Sequence, residues 1–161
     1  MKVLFAVNED DISTQVVKKY QKEYKEIISY KNMYYFNAII KELQRDKSYD
    51  RIVISEDLEP FANNNYDAID KFLFEKLDNI SDEATGLTGE DIPIILITKE
   101  RREKSDPILV KLFGIGIYNA LLGADRTIDN ICKLINKPRG KKEAKTYYKI
   151  ESDEVNYKSE S

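Results

Sequence analysis

Asp50-Arg-Ile-Val-Ile-Ser-Glu-Asp-Leu-Glu-Pro60 carries three β-branched residues, Ile52, Val53 and Ile54, that stop abruptly at Ser55-Glu56-Asp57, with a proline soon after. A short apolar run closed at both ends by polar residues is the pattern of a strand buried on both faces, as in the middle of a parallel sheet. Acidic groups at the C-terminal end of such a strand fall where open α/β sheets place their sites.

Working outward, the same alternation repeats. Lys2–Val7 reads as a first strand, ended by Asn8-Glu9-Asp10-Asp11, with Ser13 as the expected cap of a helix carrying Val16, Val17, Tyr20 and Tyr24. Residues 26–30 read as a second strand. Asn32 is the expected cap of a helix to about Arg45, with Tyr35, Phe36, Ile39, Ile40 and Leu43 inward. After the central strand, Tyr66–Leu77 has a helical apolar stripe, and residues 82–91, with Gly86 and Gly89, read as a surface loop. Ile92–Thr98 is a fourth strand with Pro93 near its start, where a missing ladder donor is tolerable. Ser105 and Pro107 open a fourth helix, 117–122 is a fifth strand, and Thr127 starts a helix with Ile128, Ile131, Cys132, Leu134 and Ile135 inward. Five strand–helix repeats with short connections predict an α/β, flavodoxin-like (βα)5 doubly wound parallel sheet, order 2-1-3-4-5, in three α/β/α layers. That order brings Asn8–Asp11 and Ser55–Asp57 to the switch point between the first and third strands.

The 161 residues suit one domain, 42% hydrophobic and 34% charged, with a net charge of -3. That charge is too small to argue for nucleic acid across the whole surface. One cysteine, Cys132, and no histidine exclude an internal disulfide, the usual Cys/His zinc site and any histidine triad. No signal-peptide pattern and no membrane-length apolar run are found, so the expectation is a cytoplasmic protein with no membrane partner. The expected domain spans 1–137. Beyond it the character shifts: Lys137–Lys145 is basic and Glu151–Ser161 acidic, so 138–161 reads as a charged tail, or a linker to a further domain, with Thr146–Ile150 as an extra strand or a packed segment.

Element order, lengths and site positions over 1–137 resemble the receiver domain of response regulators, the CheY-like fold. The resemblance implies a two-component signalling module. In that family an acidic pair after the first strand holds magnesium, an aspartate ending the third strand accepts phosphate, a serine or threonine ends the fourth strand and a lysine ends the fifth. Laid over this chain, Asn8-Glu9 take the acidic-pair positions, with Glu9 and Asp10 as a vestigial or weak Mg2+ site. The phospho-acceptor position falls on Ser55, and Glu56 or Asp57 takes it only after a register shift. Thr98 keeps the hydroxyl, the lysine position is Gly123, and the switch-aromatic position is Ala120. The pattern is similar to a degenerate, pseudo-receiver type, as in the N-terminal domains of the TadZ/CpaE pilus-assembly ATPases. No Gly-Lys-Ser/Thr phosphate loop is present.

The resulting expectation is a signalling or scaffold module that acts through protein–protein contact, is not an enzyme and needs no cofactor. A further domain of its own chain, another protein, or a second copy would sit on the fourth-helix and fifth-strand surface. The alternatives are a working receiver that uses Glu9, Asp57 and Thr98 with Mg2+, and a small-molecule or nucleotide-binding domain. The plainer readings stand beside these. The acids after the first strand form a helix-capping turn. Ser55 and Thr98 are buried strand-end hydroxyls. Asp57 is a loop carboxylate, and Ile115, Ile117, Leu121 and Leu122 are core. Lys99–Lys104, interleaved with Glu100 and Glu103, is a solvated loop. Lys137–Lys145 is a solvated linker unless it meets nucleic acid or an acidic partner.

Overall fold

The computed structural model describes residues 1–61 and 64–150. Five parallel strands, β1 (Lys2–Ala6), β2 (Ser29–Asn32), β3 (Arg51–Ser55), β4 (Ile94–Ile97) and β5 (Asn119–Leu121), form one sheet in the order β2-β1-β3-β4-β5. This is the doubly wound, flavodoxin-like arrangement that the alternation predicts. The helices are α1 (Asp10–Tyr24), α2 (Phe36–Arg45), α3 (Tyr66–Glu83), α4 (Pro107–Gly114), α5 (Ile128–Asn136) and α6 (Lys141–Tyr148).

The period-2 alternation of each strand divides the core into two layers. Leu4, Ile52, Ile54, Ile94, Leu96 and Ala120 face one way, with Ile39, Leu43, Leu77 and Leu109 of the helices on that side. Val3, Phe5, Val53, Ile95 and Leu121 face the other, against Val16 and Tyr20 of α1 and Ile131 and Ile135 of α5. Cys132 is buried there, and burial pushes its thiol up to about 11, so it behaves as a small hydrophobe.

Several local expectations need correcting. Ser13 is not a cap. The helix begins at Asp10, and Ser13 turns its hydroxyl onto the Asp10 carbonyl at 2.8 Å. Residues 26–28 are not strand, because Lys25 closes α1 in a left-handed conformation (φ 59°) and the ladder starts only where Ser29 N–H meets Met1 O. Asn32 ends β2 rather than capping α2. The free α2 donor at Phe36 N is met instead by Glu59 Oε2 at 2.8 Å, a carboxylate supplied by the β3–α3 loop, and Tyr35, expected inward, is 64% exposed. Thr127 and Pro107 do open their helices.

The largest difference lies after 137. In place of a linker or an extra strand, 141–148 is a helix whose Ala144 and Tyr148 are fully buried against the α4–β5 side of the core, and of the two readings of Thr146–Ile150 the packed segment is the one that holds. The segment 151–161 lies outside the described residues.

Candidate functional site at the strand ends

The ladder that carries β3 runs one residue past the strand: Glu56 N–H donates to Ile97 O at 2.9 Å. Alternation sends the Glu56 side chain to the same side as Ile52 and Ile54, beneath the β4–α4 loop. There it meets Arg102, whose side chain is 0% exposed. Arg102 Nη2 donates to Glu56 Oε2 at 2.8 Å and Nε to Oε1 at 3.0 Å, while Lys99 N–H adds a bond to Oε1 at 3.0 Å. The other side of the same guanidinium grips Asp70 of α3, with Nη1 to Oδ2 at 3.0 Å and Nη2 to Oδ1 at 2.5 Å, and Asp106 stands 3.5 Å from Nη1. Burial alone would lower the Arg102 pKa, but its bonds to Glu56 and Asp70 outweigh that and raise it. Burial would raise Asp70, and Arg102, joined by Arg101, draws it below the ordinary aspartate range.

A charge buried this way costs several kcal/mol in desolvation and is tolerable only with its partners complete. The stretch expected to be a solvated basic loop therefore holds the most buried cation of the strand ends. Little in the local sequence separates Arg102 from Arg101, because the two carboxylates it hydrogen-bonds, Glu56 and Asp70, lie 46 and 32 residues away.

Of the other sequence-derived positions, Asn8 and Asp57 come together where β1 and β3 lie side by side, as the strand order predicts. Asn8 Nδ2 donates to Asp57 Oδ2 at 3.2 Å, so Asp57 faces the neutral member of the pair. Glu9 is the exposed, extended N-cap of α1, and Asp10 accepts from Tyr34 Oη at 3.1 Å. Among the described residues, no three acidic or thiol groups gather as a metal site would require. Ser55 and Thr98 are buried, and Thr98 Oγ1 donates to Leu121 O at 2.7 Å. Gly123 begins a 3-10 turn at φ +54°, and Arg126, which the sequence reading did not single out, folds back over it: Nε donates to Gly123 O at 2.9 Å and Nη1 to Thr98 O at 3.3 Å. A cation thus returns to the strand end that lacks a lysine, already engaged with carbonyls.

Ala120 has a similar outcome. Tyr148 of α6 packs in the same core cluster as Ala120, beside β5. Tyr148 Oη accepts from Ala120 N at 3.0 Å and donates to Ile117 O at 2.8 Å. Tyr147 Oη accepts from Leu122 N at 3.1 Å and donates to Asp125 Oδ2 at 2.7 Å. Burial raises the pKa of both phenols, so both stay protonated donors. Arg139 Nη1 donates to Tyr118 O and Ala120 O at 3.1 and 2.7 Å while its guanidinium lies 3.7 Å from the Tyr147 ring centre. The basic stretch 137–145 is therefore partly a clamp on β5. The fourth-helix and fifth-strand surface, where a partner or second copy was expected, is occupied by the chain's own α6.

Two clefts adjoin these groups. One of about 650 Å³ lies beside α6, lined by Lys104, Arg139, Lys142 and Tyr147, and one of about 540 Å³ lies between α3 and α4, lined by Asp67, Asp70, Asp106 and Lys111.

No family model and no curated protein matches the chain. Among solved structures it is similar to one described as the yeast Spc42 trimeric coiled-coil, amino acids 181–211, fused to another structure, at 11% identity and a TM-score of 0.56, covering 98% of this chain and 87% of that one. At that identity the likeness concerns the fold alone. No helix among the described residues is long and apolar enough to cross a membrane.

Proposed function

We propose that this chain is a signalling or scaffold module, a receiver-like domain that works by binding protein and is not switched by phosphorylation on aspartate. The observation that carries the reading is the Glu56–Arg102 pair. The acid that follows β3 is already neutralised, inside the protein, by a cation that also ties α3 and the start of α4. Phosphoryl chemistry needs a free nucleophile and a cation able to take up developing charge. Here Glu56 is buried, Asp57 is held by Asn8, and Arg102 and Arg126 are both engaged.

The test is a magnesium titration with and without beryllofluoride, read by amide shifts at Glu9, Ser55, Asp57 and Thr98. The reading expects no saturable shift. A saturable shift that grows with the phosphoryl mimic overturns it in favour of a working receiver with Asp57 as acceptor.

A further inference from the structure

β2 is the outer strand of the sheet, bonded to β1 alone. Ser29 N–H donates to Met1 O and Met33 N–H to Phe5 O, so in this parallel register Ser29, Lys31 and Met33 turn their backbone groups inward. Tyr30 and Asn32 then present N–H and C=O to the open edge, where they have no backbone partner among the described residues. Four of the large hydrophobic residues exposed in the described structure gather on or beside this strand: Ile27 at 69%, Tyr30 at 39%, Tyr34 at 50% and Tyr35 at 64%. Unpaired edge groups bordered by exposed apolar side chains are what strand addition uses.

Charge selects the occupant. Lys31, 47% exposed, lies 3.4 Å from Glu42, but Glu42 is already gripped by Arg45, with Nη2 at 2.6 and 2.8 Å from its two oxygens. Two cations share one carboxylate, which leaves a positive charge in excess on the α2 side of the edge. Glu26 offers no compensation, since it pairs with the N-terminal ammonium at 2.9 Å. A second copy is the wrong partner: an antiparallel register centred on Tyr30 sets Lys31 diagonally across from Lys31 of the other copy. We infer that the β2 edge docks an extended segment of another protein, with carboxylates on its α2-facing side and apolar residues on the side shared with Tyr30. This names the partner class for the protein-binding module proposed above and rests on that reading.

The test uses the full chain and a ten-residue peptide of alternating valine and glutamate, with the valine–lysine peptide as control, read by amide exchange and shifts. The glutamate peptide is expected to slow exchange at Tyr30 and Asn32 at least tenfold, and the lysine peptide to do nothing. Lys31→Glu should reverse that preference, and Tyr30→Pro, which removes an outward N–H together with the ring, should abolish binding while the other strand amides keep their shifts. No protection, equal protection by both peptides, protection at β5 instead, or self-association protecting the same amides without peptide would each overturn the proposal. Those outcomes leave the beryllofluoride result untouched, so the two readings fail separately.

Discussion

The two outer edges of the sheet are treated in opposite ways. At β5, Tyr148 and Tyr147 take the amides of Ala120 and Leu122, and Arg139 takes the carbonyls of Tyr118 and Ala120. At β2, the equivalent outward groups of Tyr30 and Asn32 have no such cover among the described residues. An edge strand is a template for another chain unless side chains, bulges or covering elements occupy it. The difference teaches which edge of the sheet is finished by the chain's own side chains and which keeps its backbone groups open among the described residues. On the fourth-helix and fifth-strand side, where the family resemblance placed a partner, the β5 edge is met by α6.

Breaking the sealed edge should have the largest effect. Tyr148→Ala removes a fully buried ring and both of its edge hydrogen bonds, and should cost about 3–5 kcal/mol in denaturant unfolding, typical of a large-to-small aromatic truncation. Arg102→Met leaves Glu56 buried without its cation and should cost a similar ~3–5 kcal/mol. The double substitution Arg102→Met with Glu56→Gln should recover part of that loss, which a simple packing defect would not. Tyr148→Phe keeps the ring but orphans Ala120 N–H and Ile117 C=O, and is expected to cost about 1–3 kcal/mol. At the open edge, Tyr30→Thr should change stability by no more than roughly 1 kcal/mol, since the edge-on contact with Phe5 is the main interaction lost.

Acid sharpens the account of the strand ends. The Asp70 carboxyl is held below its ordinary value in the folded protein, so the unfolded chain binds its proton first as pH falls. Its contribution is fully present above the unfolded value of about 3.9 and is lost as pH drops through the lower folded value. Unfolding free energy measured from pH 6 to 2 should therefore fall below pH 4, with a shallower slope in Asp70→Asn.

What the sequence revealed follows from the range of the physics involved. Strands buried on both faces leave local apolar runs, so β1, β3 and β4 and their order were legible, as were the cap at Thr127 and the first-turn Pro107 of α4. β2 was misplaced because an edge strand buries little: its Ser-Tyr-Lys-Asn carries no apolar run, and its register comes from Met1. α6 was read as linker because its apolar residues, Ala144, Tyr147 and Tyr148, sit among lysines, and its purpose is visible only beside the β5 backbone. At the candidate site, Ser55, Asp57, Glu9 and Thr98 were nominated by position, yet the group that organises it, Arg102, had no local signature. The two carboxylates it hydrogen-bonds come from two other parts of the chain, the end of β3 and α3.

Residue-resolved hydrogen exchange under native conditions tests the contrast between the edges most directly. The account predicts that the Ala120 and Leu122 amides exchange only at the free energy of global unfolding, while Tyr30 and Asn32 exchange orders of magnitude faster. If Ala120 and Leu122 exchange as fast as Tyr30 and Asn32, α6 does not seal β5, and the assignment of the finished and open edges is wrong.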